Sequence, residues 1–214
     1  MNRLTSAALT GVLLAGGAMA VAPATQAAPA PAGVGAAAAP AVANAAAGKT
    51  SQYYFLFDKN WSDPTKSRLY YMKSRPGKDQ KIGDFRAGSG NGSTRECAKN
   101  AGWLPTGTYN VGIQTKRKAG GPKGINGYAI PLSNKWCKPQ GKERKVVRDA
   151  LFIHSEMLSN GKQDRQTKGD NPYRWDGPGD YYSLGCTKLS PKDIQALFRL
   201  ADKHGWPKQL KVVN

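Results

Sequence analysis

The apolar positions of this chain fall mostly in short clusters rather than at helical spacing. Residues 52–57 and 68–73 are crowded with Tyr and Phe, with the polar stretch Asn60-Trp61-Ser62-Asp63-Pro64 between them. That pattern predicts two strands joined by a turn. Residues 108–113 alternate apolar and polar after a Pro-Thr-Gly turn, and residues 128–132, 145–153 and 209–213 have strand composition. Helical spacing is clear over 191–204, where Ile194, Leu197, Phe198 and Ala201 share one face. Ser190 is placed to cap that helix, Pro191 suits its first position, and Asp193 completes a Ser-x-x-Asp box. Gly205 ends it, with Pro207 beyond. The expected fold class is mainly β, a β-rich α+β domain.

The N-terminal part has a different texture. Arg3 precedes an uncharged stretch from Ala7 to Val21, and small residues follow at Thr25-Gln26-Ala27, so residues 1–27 have the order of a secretory signal peptide. The stretch is interrupted by Gly and shorter than the roughly 18 to 20 apolar residues that span a bilayer. Residues 28–48 are almost all Ala, Pro, Gly and Val, a composition that buries too little surface to offset its ordering entropy, and they are expected to form a flexible spacer. Residues 49–214 then have the length of one domain with a single core.

Charge narrows the partners. The chain carries 32 Lys+Arg against 14 Asp+Glu, and Arg3 is the one charged residue before Lys49. A surface this basic implies either an anionic neighbourhood or a solvated exterior that keeps an exported protein soluble. Export favours a polyanionic envelope over nucleic acid, and no aromatics interleave with Lys116-Arg117-Lys118 as a nucleic-acid stacking platform requires. That basic run, followed by Ala119-Gly120-Gly121-Pro122, reads as a mobile loop. No phosphate loop, C-x-x-C pair or EF-hand pattern occurs, and Asp170, Asp176 and Asp180 are too irregularly spaced for a calcium loop.

Three cysteines and two histidines bound the nucleophilic chemistry. Cys186 lies in Ser183-Leu184-Gly185-Cys186-Thr187-Lys188. An ordinary thiol is only a few per cent ionised at neutral pH, so a nucleophilic cysteine needs a base. His154 closes the apolar run Asp149-Ala150-Leu151-Phe152-Ile153, whereas His204 falls in the last helical turn, where a cation complements the helix dipole. His154 and Cys186 are the candidate pair.

The 183–188 run, with a histidine on an upstream strand, resembles the Ser-x-Gly-Cys signature of the L,D-transpeptidase catalytic domain, the YkuD-type fold of bacterial cell-wall enzymes. Leu104-Pro105-Thr106-Gly107-Thr108-Tyr109 is similar to that family's Pro-x-Gly-x-aromatic turn and strand, and Gly88-Ser89-Gly90 to its small-residue turn. The likeness covers about residues 52–200. It implies a YkuD-like β-sandwich or barrel in which Cys186 attacks a peptidoglycan stem peptide, His154 is the base, and the thioester passes to a neighbouring stem amine, or to water in a carboxypeptidase. It assigns oxyanion binding and site shaping to Gly185 and Ser183, and substrate contact to Ser155, Lys188, Tyr182 and Trp175. For Ser155, plain turn chemistry is the competing reading. It implies no cofactor and no metal, a monomer, reactivity toward carbapenems, and peptidoglycan stems with anionic wall polymers as partners.

This chain departs from the family pattern in three places. Leu184 stands where the family usually has His, and Thr187 and Lys188 stand where Arg or Asn is usual; Lys keeps the charge but not the bidentate fork. The stretch between His154 and Cys186 is longer than usual, which residues 159–181, rich in Gly, Asp, Asn and Pro, account for as an enlarged loop at the site. Tyr173, Trp175, Tyr181 and Tyr182 either line a substrate groove there or pack the loop. Pairing Cys97 with Cys137 leaves the motif cysteine free, and on chain-entropy grounds closes a loop of about 40 residues worth about 4 kcal/mol. The same three cysteines with His154 form an alternative Cys₃His zinc set, without the close ligand pairs such sites use. A basic module that binds wall polyanions without catalysis is the reading from another class.

Overall fold

The computed structural model describes residues 52–214; the expected signal peptide and spacer lie outside the described residues. The domain is mainly β, as its sequence predicts. Its strands are β1 (Tyr53–Asp58), β2 (Ser67–Lys73), β3 (Gln80–Ser89), β4 (Gly107–Asn110), β5 (Thr115–Ala119), β6 (Asn126–Pro131), β7 (Lys135–Trp136), β8 (Val147–Arg148), β9 (Phe152–His154), β10 (Thr187–Lys188) and β11 (Gln209–Val213). The helix α1 spans Pro191–His204. Among the described residues one mixed sheet runs in the order β4-β11-β1-β2-β3-β10-β9-β6-β5, and β7 with β8 forms a separate ribbon.

Each half of the sheet has its own source of order. On β1 and β2, antiparallel from Tyr53↔Lys73 to Asp58↔Arg68, alternation turns Phe55, Phe57, Leu69 and Tyr71 fully into the core. Strand β11 joins β1 in parallel and brings Leu210 and Val212 to the same layer. The helix ends as its sequence predicts: Ser190 Oγ accepts from the Asp193 N–H at 3.1 Å, and Gly205, at φ +118°, donates its N–H to Ala201 O. Its buried face is Ile194, Leu197, Phe198 and Ala201.

Strand β3 connects the two halves. Most of its length pairs with β2, and its last two residues, Gly88 and Ser89, pair with Lys188 and Thr187 of β10. Gly88 and Ser89 are therefore strand rather than turn, and the turn starts at Gly90 with φ +74°. Gly88 has a packing reason as well: a Cβ there would stand 2.4 Å from the carbonyl oxygen of Tyr181.

Two further expectations are corrected. Lys116-Arg117-Lys118 is not a mobile loop but part of β5 at the sheet edge, paired with β6 through Lys118↔Gly127 and Ala119↔Asn126. Long cations suit an edge because they oppose pairing with another chain. The strand expected over 145–153 is broken into β8 and β9, because β8 pairs with β7 while β9 lies between β6 and β10. Ala150 makes the change of partner by adopting φ +50°.

Candidate active site

Strands β9 and β10 run parallel, with Ile153 beside Thr187 and His154 beside Lys188. Ile153 and Thr187 are fully buried. Alternation then directs Phe152 and His154 on one strand, and Cys186 and Lys188 on the next, toward the opposite side. There a cavity of about 820 Å³ is lined by these residues together with Ser155, Tyr182 and the 120–126 hairpin tip. The structure thus brings Cys186, just before β10, and His154, at the end of the neighbouring β9, to one wall.

Main-chain groups fix both side chains. His154 Nδ1 lies 3.1 Å from the Ser155 carbonyl oxygen, which only accepts, so Nδ1 carries the proton and Nε2 keeps its lone pair. Burial, with the Lys188 ammonium beside it, lowers the imidazole pKa to about 3. The Cys186 thiol donates to Ala150 O at 3.6 Å, and burial pushes its pKa up to about 11 against the opposing effects of the Phe152 N–H, Lys188 and Arg148. At neutral pH the pair is a thiol and a neutral imidazole. Such a pair does its chemistry by moving the proton as the sulfur attacks, not from a standing thiolate.

Ser183 organises the turn before Cys186. Its Oγ donates to Cys186 O at 2.7 Å and accepts from the N–H groups of Gly90 and Gly185, both at 3.1 Å. That contact revises the expectation for Gly185, whose N–H is occupied by Ser183 rather than presented to an oxyanion. Gly185 has a different necessity: its φ is +127°, and a Cβ there would meet Arg148 Nη2 at 2.1 Å.

The remaining candidates divide. Lys188, almost buried, pairs with Glu156, and both line the cavity. Burial raises the Glu156 pKa against the pull of Lys188. Ser155 is 2% exposed and its hydroxyl has no hydrogen-bond partner among the described residues, although the residue borders the cavity. Tyr182 is an exposed part of the cavity wall. Trp175 is not: its ring packs edge-on against Tyr181 at 4.7 Å, and its main-chain N–H bonds Gln163 Oε1. Tyr181 in turn lies under Arg86, and Tyr173 lines a separate depression on the 158–173 loop. Of the four loop aromatics, Trp175 and Tyr181 pack, Tyr173 lines the separate depression, and Tyr182 alone faces the cavity. His204 stacks near Tyr53 and Tyr71, away from these residues.

Cys97 and Cys137 form a disulfide, with Cα atoms 5.2 Å apart, and Cys186 is the free thiol. The bridge removes both cysteines from the alternative zinc set. Glu156, Asp170 and Asp180 approach within 4.8 Å of one another, but Glu156 is engaged by Lys188, and Asp180 Oδ2 accepts the N–H groups of Asp176 and Gly177. Two contributors are not evident in the sequence pattern. Glu156 carries no distinguishing signal in its neighbourhood. Arg148 carries none either, being one of three cations in Arg144-Lys145-Val146-Val147-Arg148 and followed directly by Asp149.

No protein-family model matches the chain, and no curated protein does. Among solved structures it is similar to Bd1075 of Bdellovibrio bacteriovorus, with TM-score 0.45 and 13% identity over 77% of this chain and 48% of that one. It is similar also to a fused Zn-dependent amidase/peptidase/peptidoglycan-binding domain-containing protein from Clostridium acetobutylicum, with TM-score 0.39 and 13% identity over 76% and 52% of the two chains. A third is the helical cell shape determining protein Pgp2 from Campylobacter jejuni, with TM-score 0.39 and 15% identity over 77% and 51%. The chain spans about half the length of each of these structures.

Proposed function

We propose that this domain is an extracytoplasmic cysteine acyltransferase that cross-links peptidoglycan stem peptides by L,D-transpeptidation, exported by the signal peptide at residues 1–27. The observation that carries the reading is the placement of a free thiol, Cys186, and an imidazole with an unprotonated Nε2, His154, on one wall of one cavity. Ser183, Leu184, Cys186 and Lys188 of the run that resembles the L,D-transpeptidase signature belong to the lining of that cavity.

In this mechanism His154 Nε2 takes the thiol proton as Cys186 Sγ adds to the carbonyl preceding a D-Ala. The oxyanion falls to the N–H of Cys186, since that of Gly185 is engaged by Ser183. Collapse breaks the C–N bond, and the imidazolium returns its proton to the departing D-Ala amine, leaving a thioester. The amine of a neighbouring stem then adds to the thioester and loses a proton to His154, which re-protonates the departing sulfur. Lys188 and Tyr182 contact the stem peptide at the cavity wall.

Intact-mass measurement after incubation with a carbapenem tests the reading. One adduct is expected, absent in Cys186→Ala; an unmodified wild-type protein overturns it. Muropeptide analysis after incubation with purified sacculi then separates the two acyl acceptors, since cross-linked dimers indicate an amine and trimmed monomers indicate water.

A further inference from the structure

Arg148, at the end of β8, is 3% exposed, yet it points inward. Its guanidinium donates to four main-chain carbonyls: that of Glu96, that of Gly102 at 3.1 Å, that of Trp103 at 3.5 Å and that of Leu184 at 3.0 Å. Among the described residues no carboxylate forms an ion pair with it. A buried cation whose direct contacts are carbonyl dipoles rather than a carboxylate costs stability that a neutral side chain in the same space would not. Retention of the charge calls for a task that needs it.

The surroundings locate that task. Leu184 is two residues before Cys186, and Gly185, between them, lies so close that any Cβ would collide with Nη2. The other three carbonyls belong to the 96–103 segment, whose Cys97 is tethered to Cys137. The guanidinium therefore ties the turn carrying the nucleophile to a disulfide-anchored loop, and places a positive charge against Gly185, next to Cys186, from outside the cavity lining.

We infer that Arg148 is the positioning residue of the nucleophile: it pins the Leu184-Gly185-Cys186 turn through the Leu184 carbonyl and sets its guanidinium against Gly185, next to the thiol. This rests on Cys186 being the reactive group of the proposed function. A thiolate beside a guanidinium is stabilised by direct Coulomb attraction, and thiolate and guanidinium interact in this sense here. The other ionisable groups around the sulfur, His154, Lys188 and Asp149, stay unchanged in the variants below.

The test is the pH profile of Cys186 alkylation by iodoacetamide, which needs no wall substrate. Below the thiol pKa the rate follows the thiolate fraction, so each tenfold weakening of the thiol as an acid slows alkylation about tenfold. Arg148→Met is expected to slow alkylation at pH 8 by about threefold and to move the inflection upward; Arg148→Lys, which keeps the charge but not the fork, should recover part of the rate. A folded Arg148→Met protein with the wild-type profile overturns the inference. Should that variant not fold, wild-type protein decides: the guanidinium nitrogen resonances of Arg148 are expected to move as the thiol titrates and to lose that step in Cys186→Ala, and resonances that ignore the thiol overturn it. The two proposals fail separately. A carbapenem that leaves the protein unmodified removes the acyltransferase while the alkylation profile still reads Arg148, and an unaltered profile removes the role of Arg148 while acylation stands.

Discussion

The thiol of Cys186 donates to the main-chain carbonyl of Ala150 at 3.6 Å. An acceptor at that place favours the protonated sulfur, and burial acts in the same direction, pushing the pKa up to about 11. Alkylation of the native protein is therefore expected to be slow at neutral pH and to keep rising toward pH 11, whereas the unfolded chain with its disulfide intact shows one thiol of ordinary acidity, near about 8.5. Measured rates with a small uncharged electrophile across pH 6 to 11 check this. A native inflection at or below the unfolded one would place the sulfur in a different environment.

Ala150 presents that carbonyl from a left-handed backbone, φ +50°. An L residue in this region bears roughly 1–2 kcal/mol of Cβ crowding. Glycine escapes the crowding but loses more conformational freedom on folding, by roughly 0.5–1 kcal/mol. Ala150→Gly should thus leave stability unchanged or raise it by up to about 1 kcal/mol, read as a change in the urea midpoint at constant slope. A loss larger than about 1 kcal/mol would mean that the Ala150 methyl packs usefully.

The elements that could be read from the chain are those that carry their own pattern. Strands β1, β2 and β11 and helix α1 each pack one face on the shared core, so period two or the capped 3.6 repeat reports them directly. Strand β3 escaped because Lys81, Gly83, Asp84 and Arg86 interrupt it, and its place is set by two different partners, β2 and β10. At the site, Cys186, His154 and Ser183 announce themselves by residue type and motif. Arg148, Ala150 and Glu156 do not, because their roles depend on carbonyls and charges brought from segments far along the chain. Trp175 shows the converse: an aromatic there suits a groove, but its ring packs against the neighbouring Tyr181 instead.

His154 makes stability depend on pH. Its pKa is lowered to about 3 in the folded protein, against 6.5 unperturbed. Between those values the unfolded chain binds a proton that the native protein does not, so this group's contribution is fully present above pH 6.5 and is lost as pH falls toward 3. The full effect is on the order of 5 kcal/mol. Urea unfolding at pH 7 and pH 4 should show a larger drop for wild type than for His154→Gln, which has no imidazole to protonate. Equal drops would mean that native His154 protonates as freely as in the unfolded chain.

Lys59 and Glu96 form an ion pair at 3.0 Å with side chains 0% and 6% exposed. The ammonium also donates to Thr106 Oγ1 at 2.8 Å and lies 4.3 Å from the Trp103 ring centroid. Glu96 accepts in addition from the N–H groups of Thr106 at 2.7 Å and Lys138 at 3.1 Å. These bonds hold its pKa below the usual carboxylate value despite burial, while burial lowers that of Lys59. Removing one charge leaves the other buried without compensation, which typically costs about 3–5 kcal/mol. Glu96→Gln is accordingly expected to destabilise by about 3 kcal/mol, and Lys59→Met added to it should recover part of that loss, because the remaining residues no longer include a stranded ammonium. Denaturant unfolding of wild type, both single variants and the double variant gives the coupling directly. Additive losses across that cycle would mean that the pair is spectator to folding, and that Thr106 and Lys138 alone secure the loop leading to Cys97.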